Sequence, residues 1–203
     1  MTLNLVTLII LITVVLSYIA FSNRELLYKL LLWPYRMKRE PAEYYRMLTS
    51  GFVHGDVPHL AVNMITFYFF GNALQRILTN TQFLLLYCIA IIVANIPSAI
   101  RHRDRYERMA LGASGGVAAV VFAFIYLAPW EPIYLFFILK IPAILFAVAY
   151  VIYSYVMKGK DTRIGHEAHL WGALFGFFFM AVVVDPTHGK LFIEQMKAIP
   201  YFK

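Results

Sequence analysis

The chain is poor in charge: only 14% of its 203 residues are Asp, Glu, Lys or Arg, against about 25% in soluble domains. Acidic side chains number 11, and there is one cysteine, Cys88. A lone cysteine excludes both a disulfide framework and a CxxC metal pattern. Too few charges remain to cover a water-facing globule. In their place stand hydrophobic residues at 61% and aromatics at 17%, a composition that also excludes intrinsic disorder. The fold class that follows is an all-α polytopic membrane protein. At roughly 20 residues per span, little chain is left for a separate soluble domain.

The formal net charge of +7 does not mark a nucleic-acid binder. The 18 Lys and Arg sit in short loops between apolar runs, with no basic stripe interleaved with exposed aromatics. In such loops positive charge meets lipid head groups, so the partner that the charge implies is the bilayer.

One domain over residues 1–203 is expected, with spans at about 3–21, 59–78, 82–100, 112–127, 141–157 and 167–184. The first run lacks a basic n-region and a small-residue cleavage site, so it reads as a retained span. Residues 22–58 alternate charges with aromatics, as in Trp33-Pro34-Tyr35 and Tyr44-Tyr45, which describes a long loop lying at the interface. Thr79-Asn80-Thr81 is short enough to force antiparallel neighbours. Residues 185–203 read as an interfacial or cytosolic tail.

Polar groups inside hydrocarbon are costly and persist when paired, wetted or functional. Three clusters stand out. His59 and Asn63, spaced i and i+4, share a helical face; they form either an interhelical hydrogen-bonding pair or two donors aimed at a developing oxyanion. Ser114 lies in Gly112-Ala113-Ser114-Gly115-Gly116. A serine there is either a helix cap or a nucleophile beside the unpaired N–H groups of a helix start, with Gly112 and Gly115 leaving room for a substrate backbone. The same segment fits the GxSxG elbow of soluble hydrolases, but no strand precedes it, as that motif requires. His169, Gly172 and Gly176 share a third face, and their GxxxG spacing allows close packing against the small face of Gly115, Ala119 and Ala123. If those faces meet, His169 is carried to the level of Ser114. Together the clusters supply a nucleophile, a base suited to neutral pH and oxyanion donors. Glu167 points to another helical side than His169, so a dyad is expected rather than a triad.

GASG opening a span, His59-Leu60-Ala61-Val62-Asn63, and Ala168-His169 followed by Gly172 and Gly176 resemble, in this order and on spans two, four and six, the rhomboid intramembrane serine proteases. The resemblance implies a six-span rhomboid core and a Ser114–His169 dyad. It also implies an oxyanion hole of His59, Asn63 and the Ser114 backbone, and no metal or organic cofactor. Tyr45-Arg46 resembles the Trp-Arg pair of the family's first loop, which makes Arg46 a structural residue. His54 matches a loop histidine expected to hydrogen-bond water. One departure stands out: where many members carry a tyrosine that stacks on the catalytic histidine, four residues after the serine, this chain has Ala118.

The implied activity is cleavage of peptide bonds in or near transmembrane segments of membrane proteins through an acyl-enzyme. The runner-up is a rhomboid-like protein that binds such clients without cutting them. A small transporter is disfavoured, since paired broken helices in two similar halves are missing. Thirteen of the 18 basic residues fall in loops one, three and five, which by the positive-inside rule makes that face cytoplasmic. The resemblance implies the reverse, a bacterial cytoplasmic membrane protein with its active site outward, and this orientation is the one adopted.

Overall fold

The computed structural model describes residues 4–135, 138–157 and 165–199. Lys158, Lys160, Arg163 and Lys203, counted above, lie outside them, as do the ends of the expected first span and tail. Helix α1 (Leu5–Ser22) starts at Asn4, whose side-chain oxygen accepts the Thr7 N–H at 2.8 Å. Helix α5 (Val57–Gln75) starts at Asp56, which accepts the His59 N–H at 2.8 Å. A reciprocal Thr79–Gln82 capping box opens α6 (Asn80–Arg101), satisfying donors that a helix start leaves unpaired. Then come α7 (Ser114–Leu127), α8 (Ala143–Met157) and α9 (His166–Phe179), which runs on as a π-helical turn over Met180–Val184. Helix α10 (Lys190–Lys197) ends the described chain.

By length and composition, α1, α6 and α9 with its continuation are able to cross a membrane, and α7 and α8 are shorter apolar helices. Helix α5 is as long, but His59, Asn63, Asn72 and Gln75 interrupt it. The architecture is that of a polytopic all-α membrane protein. The interfacial loop is itself built of short helices, α2 (Arg24–Leu30), α3 (Pro34–Arg39) and α4 (Arg46–Thr49).

A small antiparallel hairpin, β1 (Pro132–Leu135) with β2 (Leu139–Pro142), occupies chain that sequence reasoning assigned partly to the fifth span. Lys140 and the two flanking prolines interrupt the helical pattern there, so α8 begins only at Ala143.

Helix α7 is the axis of the bundle, with every residue buried except Ser114, Phe124 and Leu127. Around it gather Phe67, Phe83, Leu86, Tyr87 and Met180. Against α9 the contact is backbone to backbone. A methyl group at Gly172 would land on the Gly115 carbonyl, and one at Gly176 on the Ala119 carbonyl. The pairs advance together by four residues, so α7 and α9 run parallel and begin at the same end of the bundle. At the other end Tyr126 donates to Asp185 at 2.6 Å, and Asp185 also accepts from the Thr187 hydroxyl and the Gly189 N–H.

Loop one is locked to the bundle at the end where α7 and α9 begin. Arg46, buried, pairs with Glu43 and donates to the carbonyls of Tyr28 at 2.6 Å and Leu31 at 2.9 Å. The Leu32–Ala110 bridge and the 2.8 Å bond from Trp33 Nε1 to the Tyr106 carbonyl join this loop to the segment before α7.

Candidate active site

Ser114 is the first residue of α7, and the turn that delivers it needs glycine. Gly112 has φ +113°, in the region that side chains disfavour, and its N–H donates to the Ser50 carbonyl at 2.9 Å. The His59 ring lies over this turn: a methyl on Gly112 would sit 2.5 Å from His59 Cε1.

Gly115 and the start of α9 bring the histidine. A methyl on Gly115 would lie 3.4 Å from the Ala168 carbonyl oxygen, and Ser114 and His169 are the chain neighbours of those two residues. On parallel helices in backbone contact, they stand at one level of the bundle. Glu167 turns away from this place, as its position on the helix requires, and pairs with Arg101 at 2.9 Å, tying α9 to α6.

The His169 ring is flanked by an aromatic from α8. Tyr150 stacks on it with centroids 6.1 Å apart and planes inclined 25°. Behind Tyr150 lies Phe122, at 5.5 Å. Ala118 leaves the space beside α7 unoccupied by a ring of its own, and the tyrosine arrives from a different helix. His166, one turn before His169, meets it edge to face at 6.2 Å and meets Tyr153 at 5.2 Å.

Asn63 is buried on α5 and donates to the His59 carbonyl at 3.1 Å. Its amide nitrogen also lies 3.3 Å from His54 Nε2. His54, fully buried just before α5, has protein partners in Asn63, Ser17 and the Ala113 N–H. Burial and then the neighbouring His59 push its pKa down to about 4, with Asp56 opposing, so at neutral pH the ring is uncharged.

His59, Asn63, His54, Ser114 and His169 thus gather at one end of the bundle with Gly112, Gly115 and Gly172, while Gly176 packs a turn deeper. Arg46 lies apart, within loop one. Tyr150, Ser17 and His166 are the neighbours that sequence reasoning missed. A tyrosine in an apolar span of a chain with 17% aromatics carries no signal of its own.

Similarity to known proteins bears on the family. Residues 41–186 match the Rhomboid domain. The chain is 32% identical over 147 residues to RHOMBOID-like protein 12, mitochondrial, of Arabidopsis thaliana, covering 64% of this chain and 43% of that protein. It is 25% identical over 157 residues to Rhomboid protease GluP of Bacillus subtilis, covering 77% of this chain and 29% of that one. Inactive rhomboid protein 1 of Drosophila melanogaster is 29% identical over 99 residues, 49% of this chain and 7% of its own length. The chain spans less than half the length of each of these relatives, which include a protease and an inactive protein. With the motif order, the helical bundle and the match over residues 41–186 all in agreement, this chain belongs to the rhomboid family.

Proposed function

We propose that the protein is an intramembrane serine endopeptidase that cuts transmembrane protein substrates with a Ser114–His169 dyad. The observation that supports this reading is the parallel α7–α9 contact through Gly115 and Gly172, which brings the helix starts that carry Ser114 and His169 to one level of the bundle. An intact substrate helix hides its carbonyls, so a segment must unwind locally before reaction. The Ser114 Oγ then attacks the exposed carbonyl carbon while His169 takes its proton. The oxyanion receives hydrogen bonds from His59, from Asn63 and from backbone N–H groups near Ser114. The C–N bond breaks as His169 returns the proton to the leaving amine. Water, deprotonated by His169, attacks the ester, and the serine regains its proton as the acid departs.

Tyr150 does for the imidazole what a carboxylate does in a triad, restricting its plane by stacking rather than by a hydrogen bond. We place the active-site end outward from a bacterial cytoplasmic membrane. An Arg105→Cys variant in a Cys88→Ser background should react with an impermeant thiol reagent in intact cells; protection until lysis would reverse the orientation.

The decisive test of the activity is labelling by a fluorophosphonate in detergent, together with cleavage of a model transmembrane substrate. Wild type should label and cut. Ser114→Ala should lose both, and His169→Ala should lose cleavage by at least about 10³-fold, with the proteins still accumulating in membranes. Intact wild type that neither labels nor cuts would favour the client-binding reading; a rhomboid protein named as inactive is among the relatives of this chain.

A further inference from the structure

Ser17 lies in the last third of α1, fully buried, on a helix outside the matched residues 41–186 and remote in sequence from both residues of the dyad. A buried serine in a membrane helix ordinarily bonds back to its own helix, as Thr13 does to the Ile9 carbonyl at 2.8 Å. Ser17 does not. Its hydroxyl lies 3.0 Å from His54 Nδ1 and donates to the Phe52 carbonyl at 3.4 Å.

The direction of these bonds is decided at the far side of the imidazole. The Ala113 backbone N–H can only donate, and it donates to His54 Nε2 at 3.3 Å. Nε2 is therefore the bare nitrogen, and in a neutral ring the proton sits on Nδ1, where the Ser17 oxygen accepts it. The Ser17 proton goes on to Phe52. One polarised chain results, from the Ala113 amide through His54 and Ser17 to the Phe52 carbonyl. The low pKa of His54, near 4, fits this neutral form, with His59 on α5 and the capping residue Asp56 before it as its charged or titratable neighbours, and Arg24 of α2 bordering the same small cavity.

Nε2 has a single lone pair, yet two donors point at it, the Ala113 N–H and the Asn63 amide, each at 3.3 Å. Both bonds are long, as a shared acceptor requires. Asn63 therefore spends one amide hydrogen on the His59 carbonyl of its own helix at 3.1 Å and rests the other on an acceptor shared with the Ala113 N–H, so that second donor is the one free to move onto an oxyanion. We infer that Ser17 and His54 are positioning residues: by fixing the Nδ1–H tautomer they hold His54 Nε2 as a stand-in acceptor that orients Asn63 and the Ala113 amide before the negative charge of the reaction forms. This inference rests on the Ser114–His169 reading for its kinetic consequence, though not for the tautomer.

Two measurements test it. In a Ser114→Ala protein labelled with ¹⁵N-histidine, where no chemistry can occur, His54 should show a protonated Nδ1 and a bare Nε2. A protonated Nε2 at neutral pH would overturn the inference whatever the protease activity. In active protein, Ser17→Ala should lower kcat about tenfold with KM unchanged, a part of the ~10²–10³ that loss of an oxyanion donor costs, and Ser17→Thr should recover most of it. The Ser17→Ala loss should shrink to less than about twofold in an Asn63→Ala background, because both changes remove one function. Losses that multiply in the double variant, or a fall that follows the melting temperature alone, would make Ser17 a packing residue and defeat the proposal. Failure of wild type to cleave would instead strike the protease reading and leave the tautomer result standing.

Discussion

Helix α9, which carries His169, is held by α7 and by α8 in opposite ways. Helix α9 lies on α7 through Gly172 and Gly176 with no side chain between the backbones. Helix α8 buries only Ala143, Ala147 and Ser154 and meets the His169 ring through Tyr150. Rigid backbone contact tolerates no added atom, whereas a stacked ring is worth about 1 kcal/mol and can slide. The bundle thus divides the work. On the proposed mechanism, one contact would fix the level of Ser114 against His169, and the other would adjust how the imidazole is turned.

The sharpest way to break this contrast is Gly172→Ala. Its methyl would meet the Gly115 carbonyl, an overpacking of about 3 kcal/mol, and the melting temperature in detergent should fall by more than for any alanine substitution on α8. Equal tolerance at Gly172 and at exposed Val148 would show that the α7–α9 contact is not the rigid one. Between them in size lies the acid response of His54. Its folded pKa near 4 is below the unfolded value of about 6.5, so the unfolded chain takes the proton first. Stability is full above pH 6.5 and falls between pH 6.5 and 4, by about 1.4 kcal/mol for each pH unit at the steepest. His54→Gln should flatten that slope in a thermal-melt series, and an unchanged slope would assign the acid loss to other groups. The smallest effect belongs to α8: Tyr150→Ala should cost roughly fivefold in kcat, the kinetic equivalent of about 1 kcal/mol, while Tyr150→Phe stays near wild type. A large loss in Tyr150→Phe would mean that the hydroxyl, not the stacked face, matters.

Much of the site was legible because hydrocarbon makes polar residues conspicuous. His59, Asn63, Ser114 and His169 stand out against apolar runs, and the glycine spacing of Gly115, Gly172 and Gly176 announces the face that joins two of them. Ser17 and Tyr150 were not legible. A serine inside a span is ordinarily a local hydrogen-bonding residue, and only the fold shows it facing His54 across a distance of 37 positions. Tyr150 acts through a contact between separate helices, one of many aromatic contacts in this core. The β1–β2 hairpin was hidden because Lys140 and Pro142 interrupt a helix pattern without stating what replaces it. Arg46 marked a structural loop residue by resemblance, but its partners, the carbonyls of Tyr28 and Leu31, belong to turns that no periodicity describes.

The parallel course of α7 and α9 has an electrostatic consequence. Neighbouring helices in an up-and-down bundle alternate, so their macrodipoles offset one another. Here two helices in contact point the same way, and their positive ends lie together at Ser114 and His166. Two like poles side by side raise the local potential, and Glu167 in the first turn of α9 offsets little of it because Arg101 pairs with its carboxylate. What remains is a field that penalises a cation and favours a charge of the opposite sign. A negative oxygen forming beside Ser114 would complete the electrostatics of the two helix ends.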